Sequence, residues 1–149
     1  MRYQKAIARV LKVDSVFSDG IPAEQTITLK LFNGIQVEAF VQTSEWLDKS
    51  IENQNAEVVL IYGLCKLKKI NSSKKQIFVK DNAVYGQIET IWKDGSDNYA
   101  TLDAGTMKIT LWLFRDPSYE YPPLKKGNFV KVYDGRWEVD TLRLIKNDE

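Results

Sequence analysis

Residues 56–85, AEVVLIYGLCKLKKINSSKKQIFVKDNAVY, and residues 128–146, NFVKVYDGRWEVDTLRLIK, carry one pattern twice. In each, a β-rich run ends in a glycine, Gly63 or Gly135, and an alternating run follows: Ile77 and Val79 in the longer copy, Val139 and Thr141 in the shorter. Short alternating runs bounded by turn residues are strand signals. Phe40, inside VEAFVQ, and Trp112, inside ITLWLF, each lie 23 residues before their glycine, so one β unit is written twice at an offset of 72.

A repeat at that spacing divides the chain near Tyr85-Gly86, into residues 1–85 and 86–149. Barrels this small bury only about 60% of the surface their unfolded chains expose, so the halves are expected to pack on each other or on a partner.

Composition narrows the function classes. The chain has no histidine, which removes the usual general base, the usual zinc ligand and every Ser-His or Cys-His nucleophile. The acids are scattered and no Gly-rich phosphate loop is present, so the expectation is a protein without catalysis, metal or cofactor. The single cysteine, Cys65, sits in a strand pattern and reads as a small inert hydrophobe. No apolar run approaches the 18 residues of a membrane span and MRYQKAIARV already reads as a strand, which points to a cytoplasmic protein with no membrane partner. Net charge is +1, but the halves differ: residues 1–85 hold 12 Lys/Arg against 9 Asp/Glu, and Lys66, Lys68, Lys69, Lys74, Lys75 and Lys80 fall within 15 residues.

In chain order, residues 5–13 form a first strand and DSVFSDGIPAEQ a long loop. TITLKLF alternates, with Ile27, Leu29 and Leu31 facing one way and Lys30 and Phe32 the other. Asn33-Gly34 predicts a type I′ hairpin turn. The third strand, residues 35–41, places Val37 and Ala39 inward and Phe40 outward. Residues 43–54, TSEWLDKSIENQ, predict the one short helix, with Trp46 on its core side. The second copy follows the same order through GQIETIWKDG, DNYATLDAG and TMKITLWLF, but Pro122-Pro123 forbids a helix in RDPSYEYPPLKKG.

The order β-β-β-helix-β-β with a glycine-tipped central hairpin resembles the oligonucleotide/oligosaccharide-binding (OB) barrel. The segments ITLWLF, LKKGNFVKVYDG and VDTLRLI are similar to the core of single-strand-binding barrels of the replication protein A type. The fold class implied is all-β: two consecutive five-stranded OB-type Greek-key barrels, with one short helix in the first. The resemblance implies a non-catalytic accessory that binds single-stranded DNA or RNA in replication, repair or defence. Bases would stack on Phe40 and Trp112, with Tyr99 and Phe32 beside them, and Lys30 and Lys108 would flank the rings. The flanking loops would add Trp92 and Lys93, then Lys66, Lys68, Arg136 and Trp137, with Arg115 after the third strand. The alternative is a protein–protein interaction module or structural subunit of a larger complex that uses the same aromatic faces; protein subunits of a nucleic-acid-processing complex are a further expected partner.

Overall fold

In a computed structural model, residues 3–41, 46–113 and 123–145 are described, apart from the side chain of Pro22. They form an all-β protein of eleven strands: β1 Lys5–Ser18, β2 Ile21–Leu31, β3 Gln36–Val41, β4 Asn55–Gly63, β5 Lys66–Lys69, β6 Gln76–Phe78, β7 Ala83–Asp94, β8 Asp97–Asp103, β9 Lys108–Leu113, β10 Phe129–Tyr133 and β11 Arg136–Leu144. The chain clusters into two compact units, one made of Lys5–Leu60 with Trp137–Glu149, the other of Met1–Gln4 with Ile61–Arg136. The expected division at Tyr85-Gly86 falls inside β7, so it is not where contacts divide the chain.

The first unit is a closed ring in the OB order. β1 pairs antiparallel with β2 and β2 with β3, while β3 runs parallel to β11 through Trp137↔Ala39 and Val139↔Val41. β11 lies beside β4, and β4 closes on β1 through Lys5↔Val59 to Arg9↔Asn55. Alternate residues of these strands point inward and fill the centre: Val10, Ile27, Leu29, Val37, Ala39, Ala56, Val58 and Val139 are essentially inaccessible. The fifth strand of this ring is β11 and not the expected run around Ile77 and Val79. That run forms only the three-residue β6, which pairs with β7 in the other unit. Leu64, at φ +51, turns the chain after Gly63, and β11 offers nine residues carrying buried Trp137 and Val139.

The second unit pairs β7 with β8 and β8 with β9 antiparallel. β10 lies on β7, β5 lies on β10, and Ile61 and Tyr62 at the end of β4 run parallel to Thr110 and Leu111 of β9. Tyr62, Val84, Ile88, Leu102, Ile109, Leu111, Val130 and Val132 form its core.

Three local expectations are corrected. The predicted loop after Val13 is instead a hairpin arm, because Asp19 (φ +51) and Gly20 (φ +77) take the two left-handed positions of a type I′ turn. The Asn33-Gly34 turn is not type I′: only Gly34 has positive φ, its N–H donates to the Leu31 carbonyl at 2.8 Å, and Leu31 N–H donates to Ile35 at 2.7 Å, the pattern of a type I turn with a glycine bulge. The predicted helix is a single 3₁₀ turn, Lys49–Ile51, while residues 43–45 of that prediction lie outside the described residues. Local polar bonds win there over helix. The Gln25 amide exchanges two bonds of 2.9 Å with the backbone of Leu47, Asp48 caps Ser50 at 2.8 Å, and Asn53 stops the turn at φ +67. Trp46 is 39% exposed, leaning on Phe17 at 5.3 Å, and is not a core residue.

Candidate functional site

Strand pairing in the first unit brings cations together on its outer surface. Arg9 of β1 faces Lys30 of β2 on one side and Asn55 of β4 on the other. Residues directly opposite in antiparallel strands share a face, with Cβ atoms roughly 4.5–5.5 Å apart. The hairpin tip adds a wall: Phe32, 90% exposed, donates its N–H to the Ile7 carbonyl at 3.0 Å, and Gly34 sits beside it. Ile7, Leu31, Phe32 and Gly34 line the same cleft of 260 Å³ as Arg9, Lys30 and Asn55. Nearby cations are spent on carboxylates, with Lys5 at 3.4 Å and Arg143 at 3.2 Å from Glu57. Among the described residues neither Arg9 nor Lys30 has an ion-pair partner. The cleft thus sets two cations without carboxylate partners and an amide among a few apolar walls. The volume is below the roughly 300–1,000 Å³ of pockets that enclose drug-sized ligands.

The other sequence-selected residues lie elsewhere, and three of them, Trp92, Tyr99 and Trp112, stand side by side across β7, β8 and β9. On β3, Phe40 is half-buried and paired in register with Glu138 of β11. Trp137 is buried and Arg136, preceding it, is half-buried. In the second unit Trp92 is buried, stacked on half-buried Tyr99 at 4.7 Å and 21°, with Tyr3 edge-on to both rings. The Tyr3 hydroxyl donates to Asp94 at 2.5 Å, and burial together with that bond raises its pKa. Lys93 is exposed beside this cluster. Trp112 pairs with Tyr99 in register and rests over Gly63, where any Cβ would stand 3.0 Å from its Cε3. Arg115 lies outside the described residues.

The lysine cluster is similarly engaged. Lys66 lies 3.4 Å from Asp134 and Lys75 2.8 Å from Asp103, whose carboxyl it holds below the usual range. Lys69 donates to the Pro123 carbonyl at 2.7 Å, and Lys74 caps the Phe78 and Tyr85 rings at 4.7 and 4.6 Å. Lys68 is exposed, and Lys108 bonds Glu89 at 3.0 Å. Burial pushes the Cys65 thiol up to about 11. Sequence reading found Lys30 and Phe32 but missed Arg9 and Asn55. Their signal was the outward phase of Arg9 in KAIARV, which acquires meaning only once the register sets it against Lys30 and Asn55.

No protein-family model matches the chain, and no curated protein sequence does. Among solved structures it is similar to the cytoplasmic molybdate-binding protein ModG, in a crystal form with molybdate bound, at 13% identity and a TM-score of 0.52, over 96% of this chain and 95% of that one. Identity that low supports the fold, an OB-type barrel, and not a replication protein A-like identity. The expectation of single-stranded DNA or RNA binding, and of a nucleic-acid-processing complex as partner, is corrected here. The similar structure is that of a protein binding a small oxyanion. Trp92 and Trp137, expected in the flanking loops, are moreover buried in β7 and β11, and of the expected stacking rings Trp112 is seated on Gly63 while Phe32 is exposed. No helix among the described residues is long and apolar enough to cross a membrane.

Proposed function

We propose that this chain is a cytoplasmic, non-catalytic binding protein for a small tetrahedral oxyanion of the molybdate class, built as two OB-type barrels. In this reading the fifth strand of the first barrel is β11, and the segment 61–69 takes the fifth position of the second. The observation that carries the ligand class is the cleft of Arg9, Lys30 and Asn55, two cations without carboxylate partners beside an amide in 260 Å³. Charge-assisted bonds from a guanidinium and an ammonium are about twice as strong as neutral ones, and the Arg fork can hold two oxygens at once. The likeness to a structure with molybdate bound, across nearly the whole chain, supports the same ligand class. Isothermal titration with molybdate, tungstate, sulfate and phosphate tests the reading. Saturable binding of at least one of them, lost in Arg9→Gln, is expected; heat no greater than that of dilution for all four overturns it.

A further inference from the structure

Beyond ligand binding, the β1–β2 arm points to self-association. β4 covers β1 only from Lys5 to Arg9, and β3 covers β2 only from Thr26 to Lys30. From Asp14 to Gln25 the two strands therefore have only each other as ladder partners among the described residues. A bare two-stranded ribbon is marginal in water. This one also shows apolar side chains to solvent: Val16 is 55% exposed, Phe17 58% and Ile21 67%. Its root is firmly fixed, since buried Gln25 bonds Ser15 Oγ at 3.0 Å and clamps the Leu47 backbone. Beyond that root Phe17 touches Trp46, while Val16 and Ile21 stay more than half exposed.

Its two edges differ in chemistry. The β2 edge carries Pro22, which has no N–H to donate, and the charge of Glu24, the usual guards of an edge strand. The β1 edge, DSVFS, has neither proline nor lysine and only one charge. It is also compatible with itself. Two copies run antiparallel about a twofold axis through Val16 would set Val16 against Val16, Ser15 against Phe17 and Asp14 against Ser18, with no like charges opposed. We infer that the protein forms a twofold dimer in which the Asp14–Ser18 edges of two copies pair, covering Val16 and Phe17.

Sedimentation of the full chain over micromolar to high-micromolar concentrations tests this. The wild type should pass from monomer to dimer. Val16→Lys and Val16→Glu each oppose like charges across the axis and should each weaken the dimer at least about tenfold, while circular dichroism stays unchanged. Because the arm lies outside the closed ring, neither substitution disturbs core packing. An equimolar mixture of the two variants should dimerise again, since Lys then faces Glu. A wild type that stays monomeric throughout, a dimer indifferent to both substitutions, or a mixture that fails to reassociate would each overturn the inference. The first of these outcomes would leave a different molecule as the arm's partner.

Discussion

Arg9 and Lys30 stand directly opposite each other across the β1–β2 ladder, two cations on one face without a carboxylate between them. Like charges in that relation cost stability, roughly 0.2–1 kcal/mol by the scale of cross-strand pairs. In the reading proposed above, a bound anion would relieve that repulsion. Lys30→Gln should stabilise the ligand-free protein by about that amount in urea melts. It should also abolish the rise in stability expected of the wild type with molybdate, about 2.7 kcal/mol at a hundredfold excess over Kd. A variant that loses stability in the absence of ligand would show that the pair does not repel.

The Tyr62 hydroxyl supplies a second test, because it ties three strands' ends together in the second unit. It accepts the Gly135 N–H at 3.0 Å and can donate to the Asn82 backbone at 3.0 Å or its side-chain oxygen at 2.9 Å, while Asn82 Nδ2 donates to the Gly135 carbonyl at 2.7 Å. Tyr62→Phe strands that N–H and should cost about 1–3 kcal/mol. Burial pushes the Tyr62 phenol up to about 12 from its ordinary 10.0. A group with a raised folded-state pKa contributes its stability fully below the unfolded value and loses it as pH rises through the folded one. Wild-type stability should therefore fall between pH 10 and 12, and Tyr62→Phe should flatten that fall, as read by denaturant melts across the alkaline range.

The repeated glycines should respond unequally to alanine. At Gly135 a Cβ would stand 2.6 Å from that of Cys65 and 2.7 Å from the Tyr62 ring, both rigidly placed; at Gly63 it would meet Trp112 at 3.0 Å. Overpacking of the first kind costs roughly 1–3 kcal/mol. Thermal melts should rank Gly135→Ala well below Gly63→Ala, and equal losses would contradict the close approach at Gly135.

How much of this was legible beforehand follows from the range over which each signal acts. Alternation in TITLKLF put Ile27, Leu29 and Leu31 inside, and all three are buried, because side-chain phase is local to a strand. Gly63 is the last residue of β4, and Gly135 follows the end of β10 by two residues, in the turn before β11. Strand partnership is not local. Nothing within residues 64–80 says that their β segments pair with β10 and β7, and nothing in RWEVDTLRL says that it joins β3 from the far end of the chain. Asp19-Gly20 carries a hairpin signal, but Pro22 and the polar residues around it match a loop equally well in the sequence. The site failed for the same reason as the topology. Outward aromatics suggested a stacking surface, whereas the convergence of Arg9, Lys30 and Asn55 exists only after three strands have found one another.

That β11 completes the ring of β1 to β4 also has a consequence for synthesis on the ribosome. When Leu60 has emerged, four of the ring's five strands exist, but β3 and β4 await the strand that must lie between them. The edge of β3 stays unpaired until residues 137–144 follow, some seventy-six residues later. Pairing over such sequence distances is slow and leaves strand edges exposed meanwhile. The segment between, residues 61–136, has nearly all its own strands in order, so the nascent chain is built to complete the later-made unit first and the earlier-made one last.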